Sequence, residues 1–525
     1  MTNASTTAEK RQPDSRGSRL AGVAALLAAR PLFGAFLLIG VAVAVRAQGT
    51  VDADVAWQLW VGRQLNHGAH LYRDILEVNP PLWFWMAMPV DRLAALLHIR
   101  SDHLLIVLLG LAAALSIGAT DRLIDDLSSA RRGLLLAFAS LILIAMPWLE
   151  MGQREHIALI GTMPYAALIA ARRSGRPVPA GLAIAVGAGA ALGFALKHYF
   201  LVVPLLLELW LLAAQRRRWR PVRGETIAVA AVGAAYALAM LVVARDYFTV
   251  MLPMLLLAYG RTGAKHWIDL FQPAVLTALA SIVLLVLNRR FVRSAASGLA
   301  AALSVAAMAF TIVYFVQAKG WSYHAVPMLG CASIALAACL AGGVGPPRMM
   351  LLTAPALLLA PFAIALQQAQ RGPESAPDVM QALRGIRSGE TVGFISADPS
   401  FGWPTVLERR LRFPLRYYGF WMMQAVVSNE VGGRRDPRLT ELGRRVVRDT
   451  VANFECTPPR RIIVARPTPA EARRGEFDIL AFFLREPQFR RLMVHYRPIG
   501  RTSVQSFELQ SDLEPPASCP AWSPV

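Results

Sequence analysis

Four carboxylate side chains lie in one polar stretch that follows the first apolar segment of the chain. They are Asp52, Asp54, Asp74 and Glu77, and tryptophans and a Pro-Pro pair accompany them. A positioned carboxylate can accept the proton of an attacking hydroxyl group, which is general-base catalysis. A segment that only connects two membrane helices would be short or would lack such a concentration of carboxylate and aromatic residues. We therefore interpret residues 51–85 as part of a site.

Asp54 begins a segment that has the periodicity of a short amphipathic helix, with apolar residues recurring from Ala56 to Leu65. This pattern predicts a helix on the membrane surface, with Trp57 and Trp60 at the depth of the lipid headgroups. Asp54 would be its N-cap or first residue, and capping alone explains this aspartate equally well. Asp52 is an alternative candidate for the base.

Basic and aromatic residues recur together in several further polar segments between apolar runs. Cations beside aromatic rings suit an anionic amphiphile, such as a lipid phosphate whose chain lies in the bilayer. Ordinary interface anchoring by Trp, Tyr, Lys and Arg explains any one segment, but it explains all of them less well. The segments are 152–156, 197–199, 245–247, 265–267 and 317–324.

Membrane helices must position these residues. The chain has 525 residues, 55% of them hydrophobic, and apolar runs long enough to cross a bilayer recur between residues 20 and 370. Short arginine clusters lie between these runs, a distribution typical of cytoplasmic loops, and they explain much of the net charge of +20 without nucleic-acid binding. The predicted spans are 21–45, 103–124, 133–148, 157–171, 178–196, 200–214, 225–244, 273–288, 294–316, 325–341 and 349–367.

The apolar segment 81–98 decides the orientation of the chain. If it were a span, all the arginine clusters would lie outside, and Asp91 and Arg92 would be costly in lipid. We therefore predict a juxtamembrane or re-entrant helix there and a polytopic α-helical protein with eleven spans. The expected arrangement is a disordered cytoplasmic tail at 1–19, a transmembrane domain at 20–370 with a long outer loop at 47–102, and a C-terminus outside the cytoplasm.

The composition changes beyond residue 370, where charged residues and proline become common and no further span follows. Residues 371–525 are predicted to form a small soluble α/β domain that caps the outer face. Cys456 and Cys519 could form a disulfide there, although their spacing does not establish the pair. Neither a Gly-rich phosphate loop nor a metal-ligand spacing occurs in it. Strand-like runs lie at 391–396, 461–465, 492–496 and 504–509, and helix-like runs at 378–387, 438–452 and 477–484.

The first outer loop resembles that of the GT-C superfamily of membrane glycosyltransferases. The resemblance rests on Asp54-Val-Ala-Trp-Gln-Leu, Gly68, Leu71-Tyr-Arg-Asp74 and Asn79-Pro-Pro-Leu82. It is strongest to bacterial relatives of protein O-mannosyltransferases and of the aminoarabinose transferase that modifies lipid A. It implies a hexosyl- or pentosyltransferase of the bacterial inner membrane, which moves a sugar with inversion from a polyprenyl-phosphate donor to a glycan, lipid or protein acceptor in the periplasm.

The resemblance also assigns roles to residues, with Asp54, or alternatively Asp52, as the catalytic base. Val55 departs from the family's usual Glu and Asn79 from its usual Lys, so another cation must hold the donor phosphate. A divalent metal ion is possible, and its ligands are unknown. The candidates for donor phosphate binding are Arg154, Lys197, His198, Lys265, Lys319 and His324. The candidates for substrate binding are Trp57, Asp74, Glu77, Glu155, His156, Trp321 and Tyr323.

Two other functions fit the same composition. A transporter or flippase of lipid-linked glycans would carry ionisable residues in mid-span, where Glu208 is the notable charge. A non-catalytic protein of envelope polysaccharide assembly could recognise the glycan through the same loops.

Overall fold

Apolar helices form most of the amino-terminal two thirds of the chain. A computed structural model describes residues 30–124, 127–259, 266–288, 295–343, 347–371, 377–398, 400–431, 436–465, 477–501 and 504–510, with single residues 513, 516, 519 and 524. The predicted tail at 1–19 lies outside the described residues. The helices of this part are α1 (Pro31–Arg46), α2 (Ala53–Asn66), α3 (Leu82–Leu96), α4 (Ser101–Leu123), α5 (Ser129–Ile144), α6 (Arg154–Arg173), α7 (Ala180–Ala195), α8 (Val202–Gln215), α9 (Gly224–Val243), α10 (Leu252–Ala258), α11 (Pro273–Leu287), α12 (Ala295–Gln317), α13 (Ser322–Gly342) and α14 (Arg348–Arg371).

A helix occurs at each of the predicted spans. Six described helical segments are long and apolar enough to cross a membrane. Others, such as α1, α7 and α11, are apolar but shorter. The chain is therefore a multi-pass membrane protein, and the count of eleven spans stays a prediction. The six segments are Ser101–Leu123, His198–Arg218, Gly224–Val243, Gly298–Gln317, Ser322–Gly342 and Arg348–Gln370.

Arginine clusters join helix ends to one another at one end of the bundle, which we call the basic end. Arg132 pairs with Asp121, which joins α5 to α4. Arg172 makes two hydrogen bonds of 3.0 Å to the carboxylate of Glu225, which joins α6 to α9. Gln215 at the end of α8 donates to the Arg172 carbonyl. These contacts bring three of the clusters to one end of the bundle. The fourth, at 289–293, lies outside the described residues, and the side of the membrane stays a prediction.

The first outer loop contains two helices that pack closely on each other. A Cβ atom on Gly62 of α2 would lie only 2.6 Å from the Ala87 Cβ of α3, so glycine permits this approach. Asn66 at the end of α2 donates hydrogen bonds of 2.9 Å to the Met88 carbonyl and to the Asp91 carboxylate. Asp91, whose charge argued against a span at 81–98, therefore has a hydrogen-bond partner within the loop.

The C-terminal part contains a four-stranded sheet. Strand β1 (Val392–Ile395) pairs in parallel with β2 (Arg461–Ala465), and β4 (Val504–Leu509) pairs antiparallel with both β2 and β3 (Tyr496–Arg501), in the order β1-β2-β4-β3. Cys456 and Cys519 form a disulfide with a Cα–Cα distance of 5.5 Å. The elements are α15 (Pro377–Ala382), β1 (Val392–Ile395), α16 (Thr405–Glu408), α17 (Met423–Val431), α18 (Pro437–Cys456), β2 (Arg461–Ala465), α19 (Ile479–Phe483), α20 (Pro487–Met493), β3 (Tyr496–Arg501) and β4 (Val504–Leu509).

One predicted strand is wrong. The run 492–496 is mostly not extended, because Pro487 begins helix α20 and this helix continues to Met493. Phe489 and Leu492 are both buried, with the helical spacing of three residues. The strand begins only at Tyr496.

Candidate functional site

Asp52, rather than Asp54, caps helix α2. The Asp52 carboxylate accepts the Asp54 backbone N–H at 2.8 Å, the usual N-cap arrangement, and it also accepts a hydrogen bond of 2.7 Å from the Gln153 amide. Asp52 therefore ties the first outer loop to the polar turn before α6. Asp54 lies in the first turn of α2, partly exposed, and its carboxylate is close enough to the hydroxyl group of Tyr418 to raise the pKa of that phenol. This geometry favours Asp54 as the base and gives Asp52 a structural role.

The tryptophans of α2 are covered by the C-terminal part of the chain. Trp57 and Trp60 are only 1% and 2% exposed, and their rings lie 4.9 Å apart. Trp403, Phe413 and Tyr418 pack against them, with ring centroids 5.4 Å (Trp403–Trp57), 5.7 Å (Phe413–Trp60) and 5.2 Å (Tyr418–Trp57) apart. We call these five residues the aromatic cluster. These rings cover the two tryptophans, which are therefore shielded from the surroundings, and their depth in the membrane stays a prediction.

Glu77 holds Trp57 in place. Its buried carboxylate accepts the Trp57 indole N–H at 2.5 Å and both the backbone and side-chain N–H groups of Asn79, at 2.9 and 2.6 Å. Burial raises the pKa of Glu77, and these hydrogen bonds and the nearby charge of Arg154 oppose the shift. Asn79, the residue that departs from the family pattern, therefore serves as a donor to Glu77.

Arg154 is the first residue of α6 and is only 3% exposed. Its Nε and Nη1 groups are buried, and in the part of the chain that the structure describes neither has a hydrogen-bond partner. The guanidinium is nevertheless close enough to Asp54, Glu77 and Glu155 to interact with their charges. Buried donors without a partner are uncommon, and their usual explanation is a missing ligand, ion or water. This position suits the phosphate of a donor.

Lys197 lies in a second polar group behind Arg154. Its ammonium contacts Glu155 at 2.5 Å, His324 Nε2 at 3.2 Å and Gln317 Oε1 at 3.4 Å. Burial lowers the pKa of Lys197 to about 8, although the charge of Glu155 opposes this. The cation of Lys197 is thus largely balanced by a carboxylate, which leaves Arg154 as the better candidate for a phosphate.

The loop before α13 adds aromatic rings to the same end of the bundle. Trp321 is partly exposed, and its ring lies 5.6 Å from Tyr323 and 5.3 Å from His324. The Lys197 ammonium lies 5.4 Å from the Tyr323 ring. Lys319 is buried, with its ammonium 4.5 Å from the ring of Tyr259. The structure therefore brings three of the predicted polar segments together, 152–156, 197–199 and 317–324.

Three predicted site residues have other roles. Asp74 closes its own turn by accepting the His70 backbone N–H at 2.7 Å. His156 uses both ring nitrogens on backbone groups, since Nδ1 accepts the Gly152 N–H and Nε2 lies 2.6 Å from the Leu143 carbonyl oxygen. The His198 ring packs at a tilt against that of its neighbour Tyr199, with the centroids 3.9 Å apart. Lys265 lies outside the described residues.

Two residues of the site were missed in the sequence. Glu150 is only 5% exposed and accepts a hydrogen bond from the Ser322 hydroxyl group. Burial and the charges of Asp52 and Asp54 raise the pKa of Glu150 to about 8. Its position in Trp148-Leu-Glu150, just before the polar turn, was the available signal. Tyr418 is distant in sequence from every predicted site residue, and nothing in the sequence pattern marked it.

We expect Glu150 to make the stability of the protein depend on pH. Its folded-state pKa lies above the ordinary value of 4.5, so the native state binds more protons than the unfolded state between pH 4.5 and 8. The free energy of unfolding therefore falls as the pH rises through this window, by about 1.4 kcal/mol per unit at most, and the loss is complete above it. Glu150→Gln should flatten the plot of melting temperature against pH between 5 and 9.

The exposed Glu441 provides the matched control, because its pKa is lowered by Arg448 and its titration lies below this window. Glu441→Gln should leave the slope unchanged. Parallel curves for the wild type and Glu150→Gln would contradict the burial of an ionisable carboxyl group at this position.

A metal site is not apparent in the described ranges, where no group of three or more His, Cys, Asp or Glu side chains is placed to hold an ion.

No protein-family model and no curated protein sequence matches the chain. Among solved structures, the chain is similar to the crystal structure of ArnT from Cupriavidus metallidurans bound to undecaprenyl phosphate. The TM-score is 0.51 at 13% sequence identity, and the match covers 96% of this chain and 100% of that chain. The chain is therefore similar to ArnT in its overall fold.

Proposed function

We propose that the protein is a membrane glycosyltransferase that moves a sugar from a polyprenyl-phosphate donor to an acceptor outside the cytoplasm. The observation that carries the proposal is Arg154, whose buried Nε and Nη1 groups have no hydrogen-bond partner among the described residues and whose charge interacts with that of the partly exposed Asp54. The two groups supply what the reaction needs, a cation for the leaving phosphate and a base for the attacking hydroxyl group. The likeness to ArnT bound to undecaprenyl phosphate supports the same class of donor.

The proposed reaction is a single displacement. The acceptor oxygen attacks the anomeric carbon while Asp54 removes its proton, and the bond from that carbon to the phosphate oxygen breaks. The polyprenyl phosphate leaves with an additional negative charge, which Arg154 stabilises. Attack from the side opposite to the leaving group inverts the anomeric configuration.

Arg154 takes the role of the cation that is missing at position 79 of the first outer loop. Asn79 occupies the position of the family's usual lysine, and its amide is engaged by Glu77. Lys197 is paired with Glu155, so it stabilises the leaving phosphate less than Arg154 does. His324 contacts both members of this pair. No step of the proposed reaction requires a metal ion.

The placement of charge favours an enzyme over a transporter. Glu208, the notable mid-span carboxylate in the sequence, is paired with Arg223 and accepts the Trp219 indole N–H at 3.1 Å. Arg223 also bonds Glu225 at 2.7 Å, so these groups belong to the neutralised basic end. We place the protein in the bacterial inner membrane, with the basic end in the cytoplasm and residues 371–525 as a periplasmic domain.

Transfer from defined donors tests this function. The full-length protein in nanodiscs would be incubated with undecaprenyl-phosphate-linked mannose, glucose, arabinose or aminoarabinose, radiolabelled in the sugar, and with an envelope extract from cells that lack the protein. We expect label to pass from at least one donor to the extract, with release of undecaprenyl phosphate and inversion at the anomeric carbon. If no donor is consumed, but labelled donors cross the bilayer of proteoliposomes, the protein is a flippase and the proposal is wrong.

A further inference from the structure

The C-terminal domain is joined to the first outer loop by main-chain contacts next to Asp54. The Leu76 N–H donates a hydrogen bond of 2.8 Å to the Arg416 carbonyl group, and Leu76 forms an isolated parallel β-bridge with Tyr417. These main-chain contacts fix the segment that carries Tyr418 to the first outer loop. The Tyr417 side chain takes no part in them, because its hydroxyl group donates to Asp449 of α18, within the C-terminal domain, at 2.7 Å.

The side chain of Tyr418 extends from this segment to the catalytic helix. Its ring stacks on Trp57 with a centroid distance of 5.2 Å and an angle of 23° between the ring planes. Trp57 follows Asp54 by one helical turn, and Glu77 holds its indole N–H. The Tyr418 hydroxyl group then lies near the Asp54 carboxylate, whose charge acts on the phenol. The main-chain contacts of Leu76 and the stacking on Trp57 together hold the phenol beside this carboxylate.

We propose that Tyr418 is a positioning residue for Asp54, so that the C-terminal domain completes the active site. A carboxylate base has two oxygens, and a hydroxyl donor bound to one of them fixes its plane and leaves the other free for the acceptor. The inference rests on the proposed function, since it assumes that Asp54 is the base.

The protonation state of Tyr418 is consistent with this role. Burial and the negative charges of Asp54 and Asp52 raise the pKa of Tyr418 well above its ordinary value. The phenol therefore keeps its proton and acts as a donor throughout the reaction. The proton of the acceptor goes to Asp54, and Tyr418 neither gains nor loses one.

Two neighbouring tyrosines make a matched pair for the test. Tyr418→Phe removes the phenol hydroxyl group that lies near Asp54 and keeps the ring that stacks on Trp57. Tyr417→Phe removes a hydroxyl group one residue away, whose partner is Asp449 in the C-terminal domain. Both variants, the wild type and Asp54→Asn would be assayed in nanodiscs with the radiolabelled donors and envelope extract, and their binding of undecaprenyl phosphate would be measured separately.

For Tyr418→Phe we expect kcat to fall about 10- to 100-fold, because a hydrogen bond to a charged group that orients the base is lost. The KM for the donor and the Kd for undecaprenyl phosphate should stay within about two-fold of the wild type, since Arg154 holds the phosphate. Tyr417→Phe should retain the wild-type kcat. A residue with a merely structural role would not separate kcat from KM in this way.

The outcomes distinguish the two proposals. If Asp54→Asn is inactive but Tyr418→Phe matches Tyr417→Phe, the positioning role is wrong and the proposed function stands. If Tyr418→Phe loses kcat and affinity for undecaprenyl phosphate equally, the residue supports the whole site and the positioning role is also wrong. If the wild type consumes no donor, the proposed function fails and this inference fails with it.

Discussion

Asp54→Asn is expected to abolish sugar transfer while the protein remains folded. A positioned general base contributes about 10²–10⁴-fold to rate, and the amide of Asn cannot accept the proton. The side chain of Asn has the same size and can still accept a hydrogen bond from Tyr418. Transfer from the radiolabelled donors should therefore fall at least 10²-fold, while the melting temperature and the binding of undecaprenyl phosphate change little.

Asp52→Asn is the informative companion of this variant. Asp52 caps α2 and accepts from Gln153, and Asn is also a good N-cap, so we expect this change to be tolerated with most of the activity retained. Full activity of Asp54→Asn with loss of activity in Asp52→Asn would assign the base to Asp52. Activity in both variants would contradict the mechanism.

The second large effect is expected at Arg154. Arg154→Gln removes the cation that faces the leaving phosphate and keeps a polar side chain of similar reach. Removing one preorganised group that stabilises developing charge costs about 10²–10³-fold in rate. Undecaprenyl phosphate should raise the melting temperature of the wild type by binding the native state, and this rise should disappear in the variant.

Two further variants make the test of Arg154 specific. Arg154→Lys keeps the charge but loses the planar donor geometry, so it should lie between the wild type and Arg154→Gln. Arg122→Gln alters an exposed arginine at the far end of α4 and should change neither activity nor the ligand-induced stabilisation. If Lys197→Gln abolishes binding of undecaprenyl phosphate and Arg154→Gln does not, the assignment of the phosphate site is wrong.

The sequence predicted the scaffold well, because the apolar length and charge of a membrane helix are local properties. A helix is present at every predicted span, and segment 81–98 forms the separate helix α3. Strands at 461–465 and 504–509 were also predicted correctly, since the first is rich in β-branched residues and the second mixes polar residues with Val504, Phe507 and Leu509. Register and order in the sheet depend on contacts between distant segments and could not be predicted.

The site was only partly predictable for the same reason. Asp54 and Arg154 lie in segments whose composition is unusual, so their types and positions drew attention. The burial of Trp57 could not be foreseen, because an amphipathic pattern does not say whether lipid or another part of the chain covers the apolar face. Glu150 follows apolar residues and precedes the polar turn at 152–156, so it did not stand out in the sequence. Tyr418 reaches the site from the C-terminal domain. Only the tertiary structure brings these two side chains to Asp54.

The most direct test of the site is a cryo-EM structure of the protein in nanodiscs with undecaprenyl phosphate. The fold also contains a cavity of about 330 Å³ at the basic end, lined by Arg173, Ser174 and Arg176 among apolar residues, which offers an alternative place for an anionic headgroup. We predict phosphate density in contact with the Arg154 guanidinium, on the side that faces Asp54. Phosphate bound only in the cavity at the basic end, with the N–H groups of Arg154 still unpartnered, would contradict the proposed active site.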